Sequence, residues 1–312
     1  MSCGIFSPEG ALIHTEENRK LIESPEKLYY ALENELILEG MAILCDAEHN
    51  LIVDLCGYRG VIPHRDTASG IEDGSTREIA VISRVGKPVS FLIDGIEDRD
   101  GTFHLKLSRR KAQERALTRM LTDSKSGDII PARITHLEPF GAFVDIGCGN
   151  ISLIGIEAIS VSRISHPQER FKVGSDIFAV ISNIDTEKRR INLSHRELLG
   201  TWKENVAVFE VGQTVRGIVR GIEDYGVFIE LAPNLSGLAE YRDDVEPGSC
   251  VSVYIKSIIP EKMKIKLVII DLFDDRYENI ITKNDYRLTS GHIDLWQYSP
   301  KECTKKEIIS KF

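Results

Sequence analysis

Two pairs of aromatic residues occur at the same spacing in separate parts of the chain. One is Phe140 with Phe143 in the segment FGAF, and the other is Tyr225 with Phe228 in the segment YGVF. A glycine beside an aromatic residue indicates a tight turn, and an exposed ring at a turn can stack on another flat ring, such as a nucleic-acid base. Such stacking is worth roughly 1–3 kcal/mol per base and tolerates any base sequence.

The alternation of residue types around these pairs predicts that the second ring of each is exposed. Apolar residues alternate with Phe143 and Asp145 in FGAFVDI, and with Phe228 and Glu230 in YGVFIEL. Successive side chains of a strand point to opposite faces, so each phenylalanine shares its face with a carboxylate. We therefore expect both faces to be exposed, unless a linker helix or a neighbouring domain covers them.

Polar and cationic residues occupy the outer positions of a later strand in each part. Arg190 and Asn192 alternate with apolar residues in RRINLS, and Lys264 and Lys266 do so in MKIKL. Arginine can pair with a phosphate or stack on a base, whereas lysine acts mainly as a point charge. These four residues are candidates for nucleic-acid contact, and the alternative for each is a solvated surface side chain.

No residue pattern in the chain predicts a metal site, a cofactor or an enzyme. The six cysteines are scattered without a C-x-x-C pair, and His64, His136 and His195 lie far in sequence from any cluster with metal-ligand spacing. The motifs of nucleotide-binding loops, nucleophile elbows and zinc hydrolases are missing. A catalytic centre in the tail, residues 272–312, is the remaining alternative, but the acidic and histidine residues of this segment form no recognisable metal pattern. These residues are Asp274, Asp275, Glu278, His292 and Asp294.

The aromatic pairs belong to an internal repeat. GDIIPARITHLEPFGAFVDI from Gly127 aligns without a gap on GQTVRGIVRGIEDYGVFIEL from Gly212, and a fainter copy, GMAILCDAEHNLIVDL, begins at Gly40. Each copy continues with short apolar strands of period two that are separated by glycine and asparagine turns. This pattern predicts small antiparallel barrels with five strands in each repeat. The fold is thus predicted to be mainly β, with three tandem barrels.

The segments around the barrels have a helical pattern. SPEKLYYALENELI from Ser24 predicts a helix that packs on the first barrel, and SRRKAQERALTRMLTDSKSG from Ser108 and HRELLGTWKENVAVFEVG from His195 predict helical connectors. Trp296 and Tyr298 indicate a small folded C-terminal appendage. The predicted segments are an acidic N-terminal segment (1–39), the first barrel (40–118), a linker (119–126), the second barrel (127–198), a linker (199–211), the third barrel (212–271) and the C-terminal appendage (272–312).

Composition and charge indicate a soluble globular protein. The 312 residues are 42% hydrophobic and 28% charged, without a stretch of about 18–20 uncharged apolar residues. The N-terminus lacks the basic flank and apolar core of a signal peptide, so we expect a cytoplasmic protein with no membrane partner. Residues 1–39 carry −5 of the formal net charge of −9, which leaves the barrels nearly neutral. Nucleic-acid binding would therefore depend on local patches and stacking.

The second repeat, from Gly127 to about Leu198, resembles a known family through GAFVDI and KVGSDIFAVISNIDTEKRRINLSHREL. It resembles the S1 RNA-binding domain, the oligonucleotide-binding (OB) barrel repeated in bacterial ribosomal protein S1. The third repeat, from Gly212 to Asp271, resembles the same domain, and the first repeat does so weakly. The whole chain resembles a short, three-repeat member of that family. This resemblance implies five-stranded Greek-key barrels that bind single-stranded RNA through two aromatic residues, a histidine, an aspartate and an arginine.

In the second repeat, the resemblance assigns RNA contact to Phe140, Phe143, Asp185 and Arg190. The histidine of the family pattern is replaced by Gly155. This repeat keeps most of the pattern and is expected to bind RNA best.

The third repeat keeps the aromatic residues of the pattern as Tyr225 and Phe228. Lys264 replaces the arginine, Glu240 the histidine and Ile259 the aspartate. Weaker RNA binding is therefore expected here.

The first repeat keeps neither aromatic residue, because His49 and Ile52 stand in their places. Pro63 and His104 occupy the histidine and arginine positions. We expect this repeat to be structural or a docking surface.

Together, these features predict a non-enzymatic protein without cofactors that binds single-stranded RNA with low sequence specificity. The expected partner is messenger RNA at or near the small ribosomal subunit. The alternative is a scaffold whose barrels have lost RNA binding and dock on the ribosome or on another protein assembly. The acidic N-terminus, Glu240 and the missing aromatic pair of the first repeat favour that alternative.

Overall fold

The computed structural model describes residues 7–99, 102–273, 285–304 and 306–312. They divide into two compact units. The first unit contains the described residues up to Ser124 together with Asp145–Ile151, and the second contains Lys125–Val144 and the described residues from Ser152 onwards. Within the described ranges, the helices lack the length and apolar character that a bilayer crossing requires.

The first barrel follows two helices, α1 (Glu16–Ile22) and α2 (Pro25–Glu33). Ser24 and the proline after it begin α2 as the sequence predicts, and Leu28 and Ala31 on this helix are buried in the core of the barrel. The strands of the first barrel are β1 (Leu38–Cys45), β2 (Leu51–Leu55), β3 (Tyr58–Ile62), β4 (Pro88–Arg99) and β5 (Thr102–Ser108). They close in the order β1-β2-β3-β5-β4. A short helix, α3 (Ile79–Ile82), precedes β4, and α4 (Arg109–Asp123) follows β5.

Buried carboxylates anchor the N-terminal segment within the first unit. Glu39 accepts backbone N–H groups of Gly10, Leu12 and Ile13 at 2.8–2.9 Å. The carboxylate of Glu9 pairs with the buried guanidinium of Arg109 at 2.6 Å. Part of the acidic charge of residues 1–39 is therefore satisfied inside the unit instead of being displayed at its surface.

The second barrel is formed by the repeat that begins at Gly127. Its strands are β6 (Ile129–Glu138), β7 (Gly141–Asp145), β8 (Ile151–Gly155), β9 (Asp176–Asp185) and β10 (Arg190–Ser194), and α5 (Ile156–Ile159) follows β8. They close in the order β10-β8-β7-β6-β9. Ala142 and Val144 on β7 are fully buried, as the alternation predicts, while Phe143 between them is only partly buried.

The third barrel follows the short helix α6 (Trp202–Val206). Its strands are β11 (Thr214–Glu223), β12 (Gly226–Ala232), β13 (Leu235–Ala239), β14 (Cys250–Ile259) and β15 (Lys264–Phe273). They close in the order β11-β12-β13-β15-β14, with β13 and β15 parallel. The prediction of three five-stranded barrels in a mainly β chain is confirmed.

The described part of the tail is folded and packs within the second unit. It contains a two-stranded sheet of β16 (Leu295–Gln297) and β17 (Ile309–Lys311). Trp296 and Tyr298 are buried in the same apolar core as residues of the second and third barrels. Three acidic residues of the tail that the sequence analysis considered, Asp274, Asp275 and Glu278, lie outside the described residues.

A buried ionic cluster joins the second and third barrels within the second unit. Arg170, in the segment between α5 and β9, pairs with Glu230 on β12, and neither side chain is exposed to solvent. Arg220 on β11 contacts the same carboxylate at 2.7 Å and also pairs with Glu169. Because breaking such a pair leaves an uncompensated buried charge, the cluster resists separation of the two barrels.

The prediction that Asp145 and Glu230 lie on exposed strand faces is wrong. Asp145 and Glu230 share a strand face with Phe143 and Phe228, but both carboxylates are buried. Glu230 is covered and paired by the arginine cluster, and Asp145 accepts backbone N–H groups of Glu9, Gly147 and Gly149 at 2.7–3.0 Å. A carboxylate on the outer face of a barrel can therefore be covered when arginines or backbone N–H groups satisfy it.

Candidate nucleic-acid interface

The aromatic pair of the second barrel lies at the turn between β6 and β7. Phe140 lies in the turn with 56% of its surface exposed, and Phe143 is half-buried on β7. Their ring centroids are 6.0 Å apart and the ring planes are perpendicular. This edge-to-face contact is a preferred aromatic geometry, and it holds the two rings in a fixed arrangement at the surface.

The third barrel repeats this arrangement. Tyr225 is 69% exposed in the turn between β11 and β12, and Phe228 is half-buried on β12. The ring centroids are again 6.0 Å apart with perpendicular planes. We call each pair, Phe140 with Phe143 and Tyr225 with Phe228, an aromatic platform.

A glycine in each platform lets the turn lie close to the neighbouring strand. A Cβ atom at Gly141 would be 2.4 Å from the carbonyl oxygen of Ile154, and one at Gly226 would be 2.4 Å from that of Ala239. Real Cβ atoms do not approach backbone oxygens so closely, so any other residue would displace the turn. Glycine is thus part of how both platforms are positioned.

His136 extends the platform of the second barrel, although the sequence analysis did not select it. Its exposed ring lies 6.3 Å from that of Phe143 with the planes 29° apart, and its Nε2 atom contacts Glu138 at 2.7 Å. Strict alternation along β6 places His136 inward with Ala132 and Ile134, which are buried. His136 aligns with Gly221 of the third barrel, and the register between β11 and β12 shifts next to Gly221. An irregularity of this kind turns a side chain outward, which explains why His136 is exposed.

The other predicted residues of the second barrel lie on its outer surface at the β9–β10 hairpin. Arg190 and Asn192 are exposed, and they are paired across the strands with Asp185 and Asn183. Asp185 accepts the backbone N–H of Lys188 at 2.9 Å, so part of its role is to hold the turn. In the barrel order, β8 lies between β10 and the platform strand β7.

In the third barrel, the platform and a cation lie in one row across three strands. Phe228 on β12 is paired with Leu238 on β13, and Leu238 is paired with Lys266 on β15. Paired residues point to the same face, and strands are about 4.8 Å apart, so Lys266 lies about 10 Å from Phe228 along the outer surface. Lys264 and Lys266 are both exposed.

A cavity of about 390 Å³ opens beside the platform of the third barrel. Both platform rings line it, together with cationic and aromatic residues from the second barrel, the third barrel and the tail. These include Arg163, Lys262, Tyr298 and Lys306. Sequence reasoning missed Arg163 and Lys306 because they lie outside the third repeat and reach it only through the packing of the second unit.

The chain has three closed five-stranded barrels in tandem, and two of them carry a platform and outward polar or cationic residues. This architecture is that of the oligonucleotide-binding (OB) barrel. The family model of the S1 RNA binding domain matches residues 123–196, which confirms the predicted resemblance of the second repeat.

Relatives of known identity match most of the chain. The small ribosomal subunit protein bS1 of Staphylococcus aureus (strain COL) is 27% identical over 274 residues, which cover 83% of this chain and 68% of that protein. The bS1 protein of Staphylococcus saprophyticus is 26% identical over 300 residues, which cover 91% of this chain and 73% of that protein. Among solved structures, a multidomain protein with nucleic acid binding domains from Streptococcus pneumoniae matches 75% of this chain and 73% of its own, at 13% identity and a TM-score of 0.25.

Proposed function

We propose that this protein binds single-stranded RNA, without catalysis, through the platforms of the second and third barrels. The observation that carries the proposal is the recurrence of one ring geometry, with the same centroid distance and angle, at equivalent turns of two barrels. If these aromatic contacts only filled the barrel cores, both rings of each pair would be buried. Phe140 and Tyr225 are instead exposed. The S1 domain at residues 123–196 supports the same conclusion.

The platforms suit RNA of any sequence. Bases would stack on the exposed rings, with His136 as a third surface beside Phe143, and each stacked base contributes roughly 1–3 kcal/mol. Arg190, Lys264 and Lys266 would pair with phosphates, which carry no sequence information. We therefore expect broad specificity for unstructured strands.

The two platforms would act on one RNA strand. The third barrel and all of the second barrel except Asp145–Ile151 belong to one compact unit, and the cluster of Arg170, Glu230 and Arg220 joins the two barrels. When one barrel has bound, the other is held near the same strand, which raises its effective concentration. The second barrel is expected to contribute more, because Arg190 can both pair and stack, whereas the third barrel has Lys264 at that position.

The relatives named small ribosomal subunit protein bS1 suggest the setting. We propose that the bound RNA is messenger RNA at the small ribosomal subunit in the cytoplasm. Contact with the ribosome itself would be a second partnership, and the first barrel, which has no platform, is the candidate for it.

The test is the affinity for a labelled, unstructured RNA of about 16 nucleotides, a length set by the upper site size of such barrels. The Phe140→Ala, Phe143→Ala double variant should bind at least tenfold more weakly than the wild type, a loss of about 1.4 kcal/mol or more. Tyr30→Ala is the matched control, because Tyr30 is an exposed aromatic residue on α2 that belongs to neither platform. Equal binding by wild type and folded double variant would contradict the proposal.

A docking scaffold is the second candidate function, favoured by the absence of an aromatic pair in the first repeat and by the −5 charge of residues 1–39. Salt dependence separates the two functions. RNA binding should weaken with salt with a slope of about −0.7 for each phosphate contact, whereas a scaffold has no RNA affinity to lose.

A further inference from the structure

Three side chains from separate segments of the first barrel converge on its outer surface. They are His49 in the turn between β1 and β2, His64 after β3, and Glu78 before α3. Nδ1 of His49 lies 3.0 Å from Oε2 of Glu78, and Nε2 of His64 lies 2.9 Å from the same oxygen. The three ligand atoms all lie within 4.8 Å of one another.

We infer that His49, His64 and Glu78 form a binding site for a divalent transition metal such as zinc. Two imidazole nitrogens and one carboxylate oxygen are a typical zinc donor set, and three protein ligands leave a fourth position for water. Bonds of 2.0–2.2 Å in a tetrahedron separate neighbouring ligand atoms by roughly 3.3–3.6 Å. A shift of about 0.5 Å from the observed nitrogen–oxygen distances would therefore admit the ion.

Side chains around the trio hold it in place. Asp46 organises the turn that carries His49, because its carboxylate accepts the backbone N–H groups of Glu48 at 3.1 Å and of Asn50 at 2.8 Å. The side-chain oxygen of Asn50 then accepts the backbone N–H of His64 at 2.9 Å. One residue thus links the segments of both histidines, and outer contacts of this kind position metal ligands.

The third ligand is fixed by a different element. The backbone carbonyl of Glu78 accepts the N–H groups of Val81 at 2.9 Å and of Ile82 at 3.1 Å, which places Glu78 at the start of α3. The trio is partly exposed, so an ion can reach it from solvent.

The position of the trio in the repeat is informative. His49 aligns with Phe140 and Tyr225, the turn residues of the two platforms. The first barrel therefore has one imidazole, that of His49, where the other two barrels have the exposed ring of a platform. Sequence spacing gave His64 no ligand role, because the three ligands come from segments that only the barrel brings together.

The test is a titration of the chelator-treated 312-residue chain with zinc chloride, measured by isothermal calorimetry. The wild type should bind one ion with a micromolar or lower dissociation constant, and His64→Ala and Glu78→Gln should each weaken binding at least tenfold with unchanged circular dichroism. His292→Ala is the matched control, since His292 is also an exposed imidazole beside two carboxylates, Asp128 and Asp294. Binding that is absent in the wild type, or that His292→Ala removes instead, would overturn the inference.

A second measurement needs no variant. Diethyl pyrocarbonate modifies accessible histidines, and peptide mass spectrometry reports which ones react. Zinc should protect His49 and His64 in the wild type while leaving the exposed His104 reactive. Equal modification of all three with and without zinc would overturn the site, whatever the RNA-binding result.

Discussion

Phe143 and Phe228 are held in place before any ligand arrives. Each ring is half-buried and makes an edge-to-face contact with an exposed neighbour, Phe140 or Tyr225, at the same distance and angle. Side chains that are already ordered lose little rotamer entropy on binding, so more of the stacking energy remains as affinity. Arg190 and the lysines of β15 are exposed and gain from phosphate pairing instead.

Replacing Arg190 separates phosphate pairing from stacking. Arg190→Ala should weaken binding of an unstructured RNA about equally for all sequences, and should reduce the slope of log affinity against log salt by about 0.7, because one phosphate contact is lost. Affinities at four salt concentrations give that slope. Arg119→Ala, which removes an exposed arginine from α4, is the control and should leave the slope unchanged. If the slope is unchanged in Arg190→Ala, Arg190 does not contact an RNA phosphate.

At the scale of elements, the buried cluster of Arg170, Glu230 and Arg220 stabilises the packing of β12 against the segment before β9. Glu230→Gln leaves Arg170 buried beside an uncharged amide. The free energy of unfolding of the second unit should fall by about 3–5 kcal/mol, as for other broken buried pairs. Urea denaturation measures it. Glu223→Gln is the control, because Glu223 is exposed and its contact with Arg163 is long, at 3.8 Å. If Glu230→Gln lowers the free energy of unfolding no more than this control does, the cluster does not stabilise the unit.

The inward or outward direction of strand side chains could be predicted from the sequence, because it depends on residues that are close in sequence. The period-two alternation predicts the inward Ala142 and Val144 and the outward Arg190 and Lys264. Alternation could not predict that Glu230 is buried, because its partner Arg170 lies 60 residues away.

Positions that depend on packing were missed for the same reason. His136 is turned outward where the regular alternation of β6 ends, and Lys306 reaches the cavity of the third barrel only because the tail folds back. His49, His64 and Glu78 likewise meet through the closure of the first barrel. Spacing in sequence carries no signal for such contacts.

At the scale of the molecule, a buried histidine makes the second unit sensitive to acid. His195 is fully buried, its Nδ1–H donates to the carbonyl of Ile159 at 3.0 Å, and its Nε2 accepts the hydroxyl of Tyr286 from the tail at 3.1 Å. Burial lowers the pKa of His195 from 6.5 to about 4. The imidazole is therefore neutral in the folded protein at neutral pH.

Acidification should destabilise the wild type more than a variant without this imidazole. Between pH 6.5 and pH 4 the unfolded chain binds a proton that the folded chain does not, so the free energy of unfolding falls by about 3 kcal/mol as the pH is lowered. The His195→Gln variant should be less stable than the wild type at pH 7.5, but its free energy of unfolding should fall less on acidification. Urea denaturation at pH 7.5, 5.5 and 4.5 compares the two. Parallel losses would contradict a neutral buried His195.

We propose that the two platforms bind a single RNA strand together. The most direct measurement is the affinity of an unstructured RNA of about 32 nucleotides, twice the upper site size of one barrel, for four proteins. These are the wild type, the Phe140→Ala, Phe143→Ala variant, the Tyr225→Ala, Phe228→Ala variant and the variant with all four substitutions. We predict at least a tenfold loss for the first pair, a smaller loss for the second, and the largest loss when all four are combined. Wild-type affinity in the folded fourfold variant would contradict the account.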